Sequence, residues 1–181
     1  MSETLNDLLV ACKNNKCATI KQKKFSNQTL TNLFKSSLLF SKVSFLDFKF
    51  NNTNFLQSRF ACCTFENCIF DTAFFVDSTF WSCKFQNCII LNSDLTSTEF
   101  DKSAFINCEF IDNDFKYSSI EQCNFVTSKF INNNLEQMLL FQTRMWKFDD
   151  FIQFTEIKDE FINAPGSRHN LNHLVQKFFN N

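Results

Sequence analysis

A large apolar residue recurs at every fifth position of this 181-residue chain, without interruption, from Phe40 to Leu140. Of the 21 positions in this series, 16 are Phe and the others are Ile or Leu. A period of five matches neither the 3.6-residue turn of a helix nor the two-residue alternation of a long strand. The series therefore predicts short extended segments, each with one apolar central residue that points inward, joined by regular corners.

The residue two positions before each central residue is Ser, Cys, Ala or Thr throughout the stretch from Ser58 to Cys108. Alternate residues of an extended segment point to the same side, so both members of each pair are expected to face inward. A longer period of 20 residues is also present, because Phe65, Phe85 and Phe105 each begin a Phe-Xaa-Asn-Cys sequence. Four five-residue segments therefore form one structural unit.

This pattern of a small residue, a polar residue, Phe or Leu, and two variable residues resembles that of the pentapeptide repeat family. The resemblance implies an all-β solenoid, a right-handed quadrilateral β-helix with four five-residue sides per coil. It covers residues 38–141 without a break, and Phe25 and Leu30 are earlier, irregular repeats. The order Ala-Asp/Asn-Leu, common in the family, is rare here, and Cys or Ser before Phe replaces it.

In such a coil the rings form interior columns, and the small residues fill the space beside them. The intervals of 5 and 20 between the cysteines follow the repeat and not the CxxC spacing of metal ligands, which predicts small buried thiols. The predicted structural core includes Phe45, Phe65, Phe85, Phe105, Phe125, Cys63, Cys83, Cys68, Cys88 and Cys108.

The corners need residues that tolerate a left-handed backbone, yet the chain contains one Gly. Asn is the next most tolerant residue, and stacked Asn side chains can form hydrogen-bonded ladders. Asn67, Asn87 and Asn107 are therefore predicted to stack at one corner.

The predicted organisation has three parts: an N-terminal helical cap at 1–24, a β-helix at 25–141 that is regular from about residue 38, and a C-terminal helical cap or extension at 142–181. Caps are expected because a solenoid with open ends would polymerise. In the family, a C-terminal extension can also mediate dimerisation. The apolar stripes that predict the two short cap helices are Leu5, Leu8, Leu9 and Cys12 near one end and Leu171, Leu174, Val175, Phe178 and Phe179 near the other.

Catalytic chemistry is not expected, and neither is a cofactor or a metal ion. One Gly leaves no glycine-rich phosphate loop. His169 and His173 are four residues apart in a predicted helix, but they have no HExxH pattern and no nearby ligands. With no apolar run of membrane-spanning length, no visible signal peptide and nine Cys, we expect a reduced protein of the cytoplasm, without membrane contact.

Two functions remain as hypotheses, and the first is a scaffold that binds an unknown protein partner, as a monomer or a homodimer. A net charge of −1 does not favour direct nucleic-acid binding. The expected partner or dimer surface is an aliphatic stripe, although cover by the terminal helix or simple β-propensity would also explain it. Its residues are Ile69, Ile89, Leu91, Ile111 and Ile131.

The second hypothesis comes from the resemblance: the Qnr-like members mimic DNA and protect DNA gyrase, a topoisomerase, from quinolones or peptide toxins. Residues 38–141 contain 12 acidic and 7 basic residues, a net charge of −5, which has the sign that a DNA mimic needs. The candidate acidic stripe consists of Asp77, Asp94, Asp114 and Glu136.

Overall fold

The computed structural model describes residues 4–11 and 19–146; the predicted C-terminal helix, with His169 and His173, lies outside the described residues. One helix, α1 (Leu5–Ala11), precedes 20 strands of three residues each. In chain order the strands are β1 (Thr19–Lys21), β2 (Lys24–Ser26), β3 (Thr29–Thr31), β4 (Leu39–Ser41), β5 (Ser44–Leu46), β6 (Lys49–Asn51), β7 (Arg59–Ala61), β8 (Thr64–Glu66), β9 (Ile69–Asp71), β10 (Thr79–Trp81), β11 (Lys84–Gln86), β12 (Ile89–Leu91), β13 (Glu99–Asp101), β14 (Ala104–Ile106), β15 (Glu109–Ile111), β16 (Ser119–Glu121), β17 (Asn124–Val126), β18 (Lys129–Ile131), β19 (Leu139–Phe141) and β20 (Arg144–Trp146).

The strands form three parallel sheets, which are three sides of a four-sided solenoid of about six coils. Side 1 contains β1, β4, β7, β10, β13, β16 and β19; side 2 contains β2, β5, β8, β11, β14, β17 and β20; side 3 contains β3, β6, β9, β12, β15 and β18. Side 4 has single bridges in place of strands, from Phe34–Asn54 to Asp114–Asn134. Partners are 20 residues apart, as in Phe65–Phe85–Phe105, so the predicted all-β solenoid is confirmed.

Each side ends in a residue with a left-handed backbone. The residue two positions after each central residue has φ between 49° and 59°, at every fifth position from Gln22 to Gln142. None is Gly and eight are Asn, whose short polar side chain tolerates this conformation. The expected ladder is present, because Asn87 Nδ2 donates to Asn67 Oδ1 at 3.1 Å and Asn107 Nδ2 donates to Asn87 Oδ1 at 2.9 Å.

The interior consists of four columns of central side chains. Phe85 stacks on Phe65 and Phe105 of the same side at 4.6 and 4.8 Å between ring centroids, within 15° of parallel. Its neighbour on the preceding side, Phe80, meets it edge-on at 5.6 Å and 61°. Stacked and T-shaped pairs are the favoured aromatic geometries, so the rings stabilise the fold beyond the area that they bury.

The small polar residues bind the backbone of the neighbouring coil. Ser78 Oγ donates to the Phe55 carbonyl at 2.6 Å, and Ser103 Oγ donates to the Phe80 carbonyl at 3.1 Å. Ser103 Oγ also accepts from the Cys83 amide at 3.0 Å. Buried main-chain groups therefore find partners inside the coil, which is why these positions favour hydroxyl and thiol side chains.

Helix α1 packs over the N-terminal end of the solenoid, and its Leu5 and Leu9 are fully buried. Thr4 is the N-cap, because its Oγ1 accepts from the Asp7 amide at 3.1 Å while Asp7 Oδ2 accepts from the Thr4 amide at 3.2 Å. These hydrogen bonds hold the pKa of Asp7 below its usual value.

The coils begin before the predicted boundary at residue 25 and continue past 141. In β1, Ile20 is 5% exposed and pairs with Phe40, which makes it the first central residue of side 1. Lys35 has the first central position on side 4 and does not interrupt the solenoid. Its ammonium donates to the Leu9 carbonyl near the end of α1, while Leu33 supplies the buried side chain beside it.

Replacing Phe85 with Ala should lower the free energy of unfolding by about 3–5 kcal/mol, because a ring held in a stacked column leaves a cavity that cannot collapse. Trp81→Ala is the matched control, since that ring is 45% exposed on side 1, and it should cost less than about 1 kcal/mol. Equilibrium denaturation measures both. Equal, small losses would mean that Phe85 is not interior.

Candidate interaction surfaces

Within residues 4–11 and 19–146, no three His, Cys, Asp or Glu side chains are grouped so that they could hold a metal ion. The same residues include no helix long and apolar enough to cross a membrane. The features that remain for functional interpretation are the buried thiols and the outward faces of the coils.

Six of the seven thiols in the described residues are buried and belong to the apolar core of the coils. Cys83 Sγ donates to the Phe60 carbonyl at 3.3 Å, and burial together with the neighbouring Cys63 thiol raises the pKa of Cys83 far above its usual value. Burial raises the pKa of the Cys123 thiol to about 12. A thiol with a raised pKa is a poor nucleophile, because the thiolate is the reactive form.

The native protein should therefore show one fast-reacting cysteine in the repeat, Cys62, which is exposed. At pH 8, iodoacetamide should modify Cys62 quickly and the buried thiols only after denaturation, as peptide mass spectrometry can measure. Rapid native labelling of most buried thiols would contradict the register. The residues expected to resist are Cys63, Cys68, Cys83, Cys88, Cys108 and Cys123.

The predicted aliphatic residues all lie on side 3, in two rows instead of one. Ile69 and Ile89 are register partners in one row, and Leu91, Ile111 and Ile131 are successive partners in the other. The rows join in β12, whose outward side chains are Ile89 and Leu91. All five side chains are half-buried. We call these five residues the side-3 patch.

Polar side chains border the side-3 patch within its own rows. Ile69 is followed toward the N-terminal end by Lys49, and Ile89 is followed toward the other end by Glu109. Glu109 faces Lys129 at 3.8 Å between Oε1 and Nζ. The patch is therefore an apolar island with charged ends.

The four residues of the predicted acidic stripe occupy three different rows. Asp94 and Asp114 are bridge partners on side 4. Glu136 lies in another row of that side and pairs with Lys116 at 3.1 Å, while Asp77 is a corner residue with φ 56°. The structure thus brings two of the four carboxylates together and neutralises a third.

A groove of about 690 Å³ follows the corner between side 4 and side 1. Its carboxylates are Asp77, Glu99 and Glu121, beside one cation, Arg59. Sequence reasoning missed Glu99 and Glu121 because it grouped charges within one side, although side 1 follows side 4 directly along the chain. The full lining is Gln57, Arg59, Asp77, Thr79, Ser97, Glu99, Tyr117, Ser119, Glu121 and Leu139.

Two exposed aromatic rings on side 4 were also missed. Phe34 is 66% exposed and Phe74 is 37% exposed, and both precede a central position. The available signal was a Phe outside the five-residue series, next to Phe75 in the second case. Leu56 and Val76 lie half-buried on the same side.

No family model matches the sequence, and no curated protein matches it either. The solved structure of HetL, a pentapeptide repeat protein involved in heterocyst differentiation regulation from the cyanobacterium Nostoc sp. strain PCC 7120, is similar in fold. It is 9% identical, with a TM-score of 0.52, and the match covers 78% of this chain and 70% of HetL. This likeness shows the fold alone.

Two further solved structures match with TM-scores below 0.5. Full-length QnrB1, a plasmid-mediated fluoroquinolone resistance protein, is 12% identical with a TM-score of 0.32, over 73% of this chain and 88% of QnrB1. Rfr23, a pentapeptide repeat protein from the cyanobacterium Cyanothece 51142, is 11% identical with a TM-score of 0.26, over 78% of this chain and 95% of Rfr23.

Proposed function

We propose that this chain, which has the pentapeptide repeat fold, is a non-catalytic scaffold that binds a protein partner through the side-3 patch. The observation that carries the proposal is the contiguity of the patch. Scattered apolar side chains are normal on a protein surface, but Ile69, Ile89, Leu91, Ile111 and Ile131 adjoin one another across four strands. Contiguous apolar patches with polar rims mark contact surfaces.

The shape of the patch favours a protein over a small molecule. Four strands at a spacing of roughly 4.8 Å give it a length of about 14 Å, and it is two side chains wide. Small-molecule sites are concave, whereas a sheet face of this size suits one helix or strand of a partner. The hydrogen-bonded coils hold the patch rigid, which lowers the entropy cost of binding.

A photo-crosslinking amino acid placed at position 89 of the full-length protein should trap the partner in cells. The same probe at position 86, an outward site on side 2 in the same coil, is the matched control. Mass spectrometry should identify an adduct that forms at position 89 and not at position 86. The purified partner should then bind wild type and lose at least about tenfold in affinity for Ile89→Lys with Ile111→Lys.

Thr64→Lys with Gln86→Lys adds the same two charges to side 2 and should leave the affinity unchanged. The melting temperatures of both variants should match that of wild type, because all four side chains point outward. Equal adducts at positions 86 and 89, or unchanged affinity of the side-3 variant, would contradict the proposal. An adduct with a second copy of this chain would identify the partner as a homodimer subunit.

A DNA mimic that binds gyrase is the second candidate, and the corner groove is the observation that favours it. Asp77, Glu99 and Glu121 line the groove, and Asp94 lies on side 4, which is one of the two sides that meet at this corner. Carboxylates on two adjoining sides form a broader acidic surface than one row does. A protein surface that binds duplex DNA carries Lys and Arg side chains that neutralise phosphates, and carboxylates can attract the same side chains.

Gyrase supercoiling in the presence of a fluoroquinolone tests this candidate. Low-micromolar wild-type protein should restore supercoiling, and Glu99→Gln with Glu121→Gln should restore less, because these changes remove two negative charges without altering side-chain size. Lys84→Gln with Lys49→Gln, on sides 2 and 3, is the charge control. No rescue and no inhibition by wild type would exclude gyrase as the target and leave the scaffold proposal standing.

A further inference from the structure

On side 4 the same side-chain hydrogen bond closes the turn in four coils, and we call this bond the side-4 cap. The residue before the central position is Asn or Asp in four coils, and its Oδ1 accepts from the amide two residues later at 2.8–3.0 Å. This bond replaces the strand pairing that the other three sides have, and it satisfies an amide that the corner leaves without a main-chain acceptor. The capping residues are Asn54, Asp94, Asp114 and Asn134.

Phe34 and Phe74 occupy the same row and cannot make this cap. Phe74 replaces a side chain that stabilises the turn with an exposed ring, and the amide of Val76 has no acceptor in the described part of the chain. A residue that breaks a local stabilising rule without a compensating contact in the fold points to a function. The two rings lie on either side of Asn54 in this row.

The rest of side 4 differs sharply along its length. Its N-terminal half carries Phe34, Phe74, Leu56 and Val76, whereas Asp94 and Asp114 follow in the C-terminal half. Neither carboxylate makes an ion pair within the described residues, because Lys116 binds Glu136. Side 4 is therefore acidic in its C-terminal half and apolar in its N-terminal half.

The C-terminal segment of this chain has the complementary order. Arg168 is followed by Leu171, Leu174 and Val175, and then by Phe178 and Phe179, at spacings that place all six on one stripe of a helix. We propose that residues 168–179 dock along side 4 of the same molecule, with Arg168 beside Asp114 and the apolar stripe against Phe74 and Phe34.

The lengths agree with this arrangement. A helix of residues 168–179 is about 16 Å long at 1.5 Å per residue. Side 4 extends about 19 Å from Asp114 to Phe34, which are four coils apart. The chain leaves the last described strand at Trp146, at the acidic end of the solenoid, and residues 147–167 can span about 70 Å when extended. The linker is therefore long enough for the segment to reach side 4 with Arg168 at the acidic half.

The side-3 patch fits this segment less well. Its apolar residues have no row of unpaired carboxylates at one end, because Glu109 faces Lys129. Among the described residues, the carboxylate without an ion pair that adjoins the side-3 patch is Asp71, next to Leu91 at the N-terminal end of the patch. On side 4 two such carboxylates, Asp94 and Asp114, lie together in the C-terminal half, where the start of the segment would dock. Docking there also leaves the side-3 patch free for a partner, so the two proposals stand or fall separately.

Hydrogen exchange of the full-length protein tests the docking. The amides of residues 170–179 should be protected in wild type, to the same degree at every protein concentration. Phe74→Asn should lower that protection by about tenfold or more, because it removes the ring. The same substitution supplies the side-4 cap seen at Asn54, so the free energy of unfolding of the solenoid should stay unchanged or rise.

Asp94→Asn with Asp114→Asn keeps both caps and removes both charges, so it should lower the protection and abolish its dependence on salt. Trp81→Asn is the control, since that ring is 45% exposed on side 1 and should not affect residues 170–179. The proposal fails if these amides exchange freely in wild type or if Phe74→Asn leaves their protection unchanged. Protection that rises with concentration would overturn it in favour of docking on a second copy.

Discussion

A left-handed residue at every corner is the constraint on which the rest of this solenoid depends. Each such residue, if it is not Gly, costs about 1 kcal/mol or more, and the chain repeats the conformation from Gln22 to Gln142. Bonds between coils offset the cost, as where the Asn87 amide donates to the Ile106 carbonyl at 2.9 Å. Because each corner is stabilised by the next coil, the structure is a property of the stack and not of any single repeat.

The regular corners affect the inward and outward side chains in different ways. Inside, identical five-residue steps align the rings and let Ser and Cys side chains bind neighbouring carbonyls, so that the interior is uniform. Outside, the same alignment places side chains 20 residues apart next to one another, which turns a sequence period into a surface row. The side-3 patch and the two halves of side 4 are both products of this rule, and they leave the interior unchanged.

The sequence predicted the interior well because one residue type at one spacing determines it: Phe85 and Asn87 lie in the column and ladder that the repeat indicates. It predicted the start of the coils less well, because Lys35 replaces an apolar central residue and its contact with α1 is not visible in a pattern. The arrangement of side chains on the outward faces was the hardest feature to predict from the sequence. Glu99 and Glu121 line a groove only because two sides meet at a corner, and the loss of a cap at Phe74 is recognisable only beside the capped turns at Asn54 and Asp94.

The backbone φ angles of the corner residues, measured by NMR from HN–Hα couplings and intraresidue HN–Hα cross-relaxation, test the central claim most directly. The solenoid requires a positive φ at every fifth residue from Gln22 to Gln142, whatever the side chain, including Lys102 and Tyr117. Between corners, every residue should have a negative φ. Left-handed conformations confined to the Asn positions, or a period other than five, would contradict the four-sided coil.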